Sequence, residues 1–274
     1  MPDSQAESLR VAIGGFGAVG RQVAVHLDNG IPGLSLAAVS ARDTARAERA
    51  MAAFAAPVPV MALGDLAEIA DVVIECAPAA HLLDVAEPAL RAGRTLVVIS
   101  VGALLSAPHL TDLALVHGGR IIVPSGALIG LDAVTAAAEG TITSVRLVTR
   151  KPPRGLEGAP HVTEQGFDLA GLTAPLKVFD GTAREAAVGF PANLNVAAAL
   201  GLAGLGPDGT QVEIWADPDV TRNTHEIAVT SDSADFSMKI ENIPSDGNPR
   251  TGKITALSVI AALRKLAGPI RIGT

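Results

Sequence analysis

Residues 11–20, VAIGGFGAVG, place Gly15, Gly17 and Gly20 at the spacing G-x-G-x-x-G. The run follows Leu9–Ile13, which reads as a buried strand, and opens Ala18–Asp28, which reads as a helix stopped by Asn29-Gly30-Ile31-Pro32. In that context each glycine has its own task. Gly15 allows the tight turn, Gly17 lets the backbone approach a pyrophosphate, and Gly20 lets the helix pack closely on the strand. Phe16, Ala18 and Val19 complete the loop, and the helix N-terminus offers N–H groups and a partial positive charge to phosphates. The feature restricts the N-terminal part of the chain to a dinucleotide-binding α/β domain.

The pattern downstream agrees. Strand-like runs at Leu34–Ser40, Val58–Met61, Asp71–Glu75, Thr95–Ser100 and Arg120–Val123 alternate with helical stretches at Thr44–Phe54 and Ala80–Ala92. Such alternation predicts right-handed βαβ units and a doubly wound parallel sheet of the Rossmann kind. Aromatics are only 3% of a chain that is 49% hydrophobic, so the core rests on Ala, Val, Leu and Ile, as continuous parallel strands require. After Pro124 the rhythm changes. Ser125–Glu139 reads as helix, Thr143–Arg150 as a half-buried strand, residues 151–167 as an aperiodic connection, and Ala192–Leu205 as helix. Thr210–Ala216, His225–Thr230 and Asp235–Glu241 alternate closely enough to predict a mixed or antiparallel sheet in a second α/β domain. Thr251–Ala267 reads as a last helix after the turn Asp246-Gly247-Asn248-Pro249. The expected division is 1–127 for the dinucleotide domain and 128–245 for a substrate and dimerisation domain. Residues 246–274 add a C-terminal helix and strand that return to the first domain.

Charge and cysteine usage exclude several classes. The net charge is −7 without any basic block, which disfavours nucleic acid as a partner. The single cysteine, Cys76, permits no internal disulfide. The polar N-terminus and the lack of a long apolar run predict a cytoplasmic protein with no membrane partner. No zinc spacing, H-E-x-x-H or G-x-S-x-G occurs, so no metal is expected.

Cofactor choice turns on the end of the second strand, VSARD. An acid there binds the ribose 2′-OH of NAD. Ser40 occupies the expected position, Arg42 can accept a 2′-phosphate, and Asp43 comes late. Both NAD and NADP are therefore expected to bind. The small residues of 75–78, 100–103 and 124–127 leave room for the nicotinamide half at the strand ends, with Ala77 and Pro78 among its lining. Outside these segments, ADPDVTRNTHEI at 216–227 carries the densest chemistry, and His225 is the side chain best suited to proton transfer near neutral pH.

GGFGAVG, IIVPSGALIGLDA, VTRKPP, FPANLNVAAALGLAG, DPDVTRNTHEI and NPRTGKITALSVIAALRKL occur in an order that resembles the L-aspartate dehydrogenase family over nearly the whole chain. The resemblance implies a Rossmann domain joined to an α/β substrate domain, usually in a homodimer. It implies NAD(P)-dependent oxidation of L-aspartate to iminosuccinate, which water converts to oxaloacetate and ammonia, or the reverse reductive amination. Iminosuccinate also feeds quinolinate and NAD biosynthesis. The family's catalytic histidine falls on His225 and its cofactor-contacting alanine on Ala127. Its cofactor-contacting asparagine falls on Asn195, with Asn193 the nearby alternative. Arg150, Lys151, Arg222 and Asn193 are candidates for holding the substrate.

Rival readings fit less well. Dihydrodipicolinate reductases carry a histidine pair and a lysine in a run absent here. Sugar-type dehydrogenases place a lysine after the fifth strand, where this chain reads ISVGAL. A dehydrogenase of another amino or hydroxy dicarboxylic acid fits the same scaffold. A non-turning-over nucleotide sensor would not need the cluster around His225.

Overall fold

The computed structural model describes residues 8–191, 194–245 and 248–273. The described residues divide into two compact units: residues 8–100, 107–124 and 256–272 form one, and 101–106, 125–191, 194–245, 248–255 and 273 the other.

The first unit is built on β1 (Leu9–Gly14), β2 (Leu34–Ser40), β3 (Val72–Glu75), β4 (Thr95–Val98) and β5 (Arg120–Ile122), all parallel, in the order β2-β1-β3-β4-β5. Its helices are α1 (Ala18–Asp28), α2 (Thr44–Met51), α3 (Leu66–Ile69), α4 (Leu82–Arg91) and α6 (His109–His117). Val11 and Ile13 of β1, Ile74 of β3 and Val97 of β4 form a core with Val23 and Leu27 of α1. Ala256, Val259, Ile260 and Leu263 of the last helix, α11 (Lys253–Ala267), join that core. Beyond Ala267 the described residues form no strand.

Three expected elements are shorter than their patterns suggest. The strand foreseen at Val58–Met61 is reduced to a single parallel bridge between Val60 and Val39, because Pro57 and Pro59 withdraw ladder donors on either side of Val58. The bridge still sits on the outer side of β2, where a doubly wound sheet carries its third strand. Helix α2 stops at Met51 rather than Phe54, and the Asp28 carboxylate takes the N–H groups of Ala55 and Ala56 just beyond. Strand β4 ends at Val98 because the next two N–H groups, those of Ile99 and Ser100, are claimed by Glu75.

The second unit contains a five-stranded mixed sheet in the order β10-β9-β6-β8-β7. Its strands are β6 (Ile142–Lys151), β7 (Leu176–Thr182), β8 (Thr210–Ala216), β9 (Thr224–Ser231) and β10 (Asp235–Glu241). Among its described neighbouring pairs only β6–β8 is parallel. The short α5 (Val101–Leu104), α7 (Leu131–Ala138), α8 (Pro160–Glu164), α9 (Ala183–Gly189) and α10 (Asn195–Ala203) accompany it. Val145 and Leu147 of β6, Val212 and Ile214 of β8, and Ile227 and Val229 of β9 share one buried core with Phe190, Leu194 and Leu200.

The sequence reading misses β7, α8 and α9 as separate elements. The start of α9 carries a capping box: Thr182 accepts the Glu185 N–H while the Glu185 carboxylate accepts the Thr182 N–H. The helix foreseen from Ser125 begins only at Leu131, because Gly126 and Gly130 adopt φ of 63° and 67°, outside the helical region. Of the turn foreseen at 246–249, Asp246 and Gly247 lie outside the described residues, while Asn248–Gly252 forms β12, paired with β11 (Pro244–Ser245). Among the described residues no helix is long and apolar enough to cross a membrane.

The β1–α1 loop has the geometry its glycines demand. Gly15 lies at φ 114°, and a Cβ there would sit 2.5 Å from the Cys76 carbonyl. A Cβ on Gly20 would sit 2.0 Å from the Gly15 carbonyl oxygen, whereas one on Gly17 would meet nothing within 4 Å. Gly17→Ala should therefore leave stability within about 0.5 kcal/mol while weakening NADH binding about tenfold or more, or ~1.4 kcal/mol. Gly20→Ala should cost about 1–3 kcal/mol of stability and lose binding as well. Urea unfolding and NADH fluorescence titration of the two variants separate these outcomes.

Candidate active site

In the first unit, the residues expected to hold a dinucleotide gather at the carboxyl ends of β1, β2 and β3. Gly17 is the N-cap of α1 and brings no side-chain oxygen, so the first-turn N–H groups, those of Ala18 and Val19 among them, are left to an outside acceptor. The Gly15 N–H donates to the Ser40 carbonyl at 3.0 Å, tying the loop to the end of β2. Phe16 turns its ring toward Phe54, 6.3 Å away, and packs on the core. Ser40 is buried and Arg42 exposed. Asp43 is the N-cap of α2, and its carboxylate accepts the Arg46 N–H at 3.0 Å. The open loop and the uncapped helix fit the pyrophosphate of NAD or NADP.

Glu75, whose side-chain role the sequence reading did not assign, organises the next two strand ends. It is fully buried, and its carboxylate accepts the N–H groups of Ile99 (3.1 Å) and Ser100 (2.8 Å) and the Ser100 hydroxyl (2.9 Å). The Ala77 N–H also donates to it. Burial raises its pKa and these donors oppose that rise. Ala77 is thereby held in place, while Pro78 is exposed. Burial, with Glu75 beside it, pushes the Cys76 thiol well above its ordinary value, so it is no nucleophile at neutral pH.

In the second unit, strand β6 determines the site. Val145, Leu147, Thr149 and Lys151 alternate along its buried face, so the apolar face becomes polar over its last two inward positions. Thr149 pairs with His225 across the β6–β9 ladder, and its Oγ1 lies 3.1 Å from His225 Nδ1. That bond leaves Nε2 for chemistry. Lys151 is the diagonal neighbour of His225 on the same face. Both are buried, at 2% and 3% exposure. Burial and then the nearby Lys151 charge hold His225 down to about 3, and burial brings Lys151 down to about 8. His225 is therefore a neutral imidazole at neutral pH, beside a lysine that is still mostly protonated there.

The other candidates stand elsewhere. Arg150 alternates to the opposite face of β6, bonds Asp217 at 3.1 Å and lies 4.9 Å over the Trp215 ring. Asp217 also accepts the Asp219 N–H. Arg222 pairs with Glu241 at 2.5 Å on the exposed rim. Neither arginine is brought to His225 by its described contacts. Asn195 opens α10, and its Oδ1 accepts the Gly102 N–H at 3.0 Å, which joins two segments that the sequence reading had singled out separately. The Ala127 carbonyl accepts from Asn242 Nδ2 at 3.0 Å, and Asn242 is itself buried with its N–H on the Asn223 carbonyl. Sequence reasoning missed Asn242 and Thr149. An alternating pattern that ends in Thr-x-Lys was the available signal for Thr149, and none existed for Asn242. Asn193 lies outside the described residues.

Family models match both parts of the chain. The family described as aspartate dehydrogenase, C-terminal, matches residues 132–266, and that described as homoserine dehydrogenase, NAD binding domain, matches residues 15–124. L-aspartate dehydrogenase of Bradyrhizobium diazoefficiens is 57% identical, over all of this chain and 98% of that one. L-aspartate dehydrogenase 3 of Bordetella bronchiseptica is 56% identical over 99% of this chain and its own full length. The crystal structure of aspartate dehydrogenase from Thermotoga maritima superposes with a TM-score of 0.75 at 25% identity, covering 97% of this chain and all of that one. The chain belongs to the aspartate dehydrogenase family.

Proposed function

We propose that this protein is an NAD(P)-dependent L-aspartate dehydrogenase that oxidises L-aspartate to iminosuccinate, hydrolysed to oxaloacetate and ammonia, or runs the reverse reductive amination. The observation that carries the reading is the buried Thr149–His225–Lys151 group at the end of an otherwise apolar sheet face. Polar groups buried in that way need a functional reason, because burying them costs stability. The resemblance extends the proposal to a cytoplasmic homodimer whose product supplies quinolinate and NAD biosynthesis.

The chain's residues divide the work. The Gly15–Gly20 loop and the first turn of α1 bind the pyrophosphate. Glu75, by pinning Ala77 and the 99–100 backbone, keeps the neighbouring strand ends in one conformation. Asn195 and Asn242 hold the Gly102 and Ala127 segments, which we assign to the nicotinamide half. Bound NAD(P)+ supplies the acceptor for the hydride that leaves the substrate Cα. His225, fixed by Thr149, presents Nε2 to the substrate and to the water that attacks the imine, accepting the proton that this water releases. Arg150, Lys151 and Arg222 are the candidates for holding the substrate.

The test is absorbance of the reduced nicotinamide with L-aspartate plus NAD+ or NADP+, and with oxaloacetate, ammonia and the reduced cofactor. A panel of amino and hydroxy dicarboxylic acids serves as control. Turnover with L-aspartate above the rest supports the proposal, and cofactor binding without turnover of any panel member favours a sensor. His225→Ala should lower kcat about a hundredfold or more with little change in cofactor affinity, and near wild-type turnover would remove His225 from the mechanism.

Burial of His225 also makes a stability prediction. In the unfolded chain the imidazole protonates near pH 6.5, whereas the folded site resists protonation down to about 3. The unfolded state binds the extra proton between those values, so this contribution is complete above pH 6.5 and is lost as pH falls toward 3. Wild-type unfolding free energy should fall more steeply than that of His225→Gln between pH 6.5 and 4, by up to about 1.4 kcal/mol per pH unit. Parallel urea-unfolding series in the two proteins measure the difference.

A further inference from the structure

His225 and Lys151 are unequal partners for the first proton of the reaction. L-aspartate carries an ammonium group in water near neutral pH, and hydride cannot leave Cα until the nitrogen lone pair is free to form the C=N bond. Some group must take that proton. His225 is a weak base in its buried setting, with a neighbouring cation that further opposes its protonation. Lys151 lies on the same sheet face, one diagonal step from His225, and is buried to the same degree. Its Cβ is 3.9 Å from the ideal Cβ position on Gly155, in the turn of residues 153–155 that caps the end of β6.

Resting on the proposed oxidation of L-aspartate, we infer that Lys151 is the acid–base residue that removes a proton from the substrate ammonium, while His225 handles the water. In the step, Lys151 Nζ as a neutral amine takes H+ from the substrate nitrogen. One N–H bond breaks, one forms, and the substrate nitrogen keeps its lone pair for the C=N bond as hydride departs. No electron leaves the pair of reactants in this transfer. In the reverse direction the Lys151 ammonium returns the proton to the product amine.

From β9 the titratable neighbour is the neutral His225. Beyond β8, Asp217 donates its N–H to the Lys151 carbonyl, but its carboxylate is engaged by Arg150 and by the Asp219 N–H. On α9, Arg184 pairs with Asp208 and Glu185 caps the helix. On α8, the His161 ring lies among Phe167, Phe179 and Phe190. Helix α10, NVAAALGLA, bears no charged residue. Burial is what depresses Lys151, so its amine begins to populate the neutral form around pH 8.

The experiment compares wild type with Lys151→Met and Lys151→Arg, each first checked for NADH binding and cooperative unfolding. For wild type, kcat/KM for L-aspartate should rise with pH through a limb near 8. Both variants should lose kcat by at least about a hundredfold, the range of lost acid–base catalysis, and the limb should move up to the pKa of the substrate's own ammonium. Added small primary amines should restore part of the lysine-free rate, more strongly as their basicity rises. A pure carboxylate-binding role predicts instead that Lys151→Arg keeps kcat, that Lys151→Met raises KM alone, and that the limb stays in place. Those results overturn the inference while leaving the enzyme reading intact. A wild type that oxidises no dicarboxylic amino acid at any pH overturns the enzyme reading, and the inference with it.

Discussion

The hydrogen bond between Thr149 and His225 can exist only because β6 and β9 place them directly opposite each other in an antiparallel ladder. A one-residue slip of either strand would turn its own side chain to the opposite face and break the pair. Val145 and Leu147 on β6, with Ile227 and Val229 on β9, forbid that slip, since it would expose the core of the whole unit. The apolar stretch of the sheet thus positions its polar end. It also sets the electrostatics of that end, because the same exclusion of water holds the imidazole neutral and brings the lysine toward neutrality. Stability lost by burying two bases is offset by the apolar residues beside them, a common arrangement where a fold carries chemistry.

The nucleotide-binding unit solves a related problem with the opposite charge. Glu75 is a buried carboxylate with no cation among the causes acting on it, and its partners are backbone N–H groups and one hydroxyl. A carboxylate offers about four acceptor sites, and four donors occupy them here. The consequence is geometric: the end of β3 and the end of β4 are fixed to a single side chain. A glutamine could accept at one oxygen only and would have to turn its amide N–H groups toward other donors. The acid is thus required by the donor count rather than by its charge.

Much of this was legible in the sequence where period and punctuation agree. Strand–glycine–helix order fixed the β1–α1 loop, and the alternation of 210–216, 225–230 and 235–241 located β8, β9 and β10 within a residue or so. The failures have physical causes. Prolines flanking Val58 leave a strand-like run with one bridge. Left-handed glycines at 126 and 130 interrupt a stretch whose composition is helical. β7 hides in LKVFDGT, where Gly181 and Asp180 dilute the β signal and cross-strand pairing with β8 overrides propensity. At the candidate site, residue identity singled out His225, while charge offered Arg150, Lys151 and Arg222 together as holders of the substrate. Only the pleat separates them: Lys151 and Arg150 are adjacent in sequence and therefore point to opposite faces.

The same distinction between identity and placement bears on cofactor choice. An aspartate near the end of β2 would ordinarily signal NAD, and Asp43 lies only three residues beyond Ser40. Its carboxylate, however, is the cap of α2, accepting the Arg46 N–H. Withdrawing it to bind a ribose would uncap the helix, at a cost of about 1 kcal/mol. Ser40, where the acid normally stands, is buried and uncharged, so it neither repels a 2′-phosphate nor offers the bidentate acceptor that favours a 2′-hydroxyl. Arg42 is exposed and positively charged beside it. A carboxylate already committed to a helix and an arginine still open to solvent leave the strand end compatible with either dinucleotide.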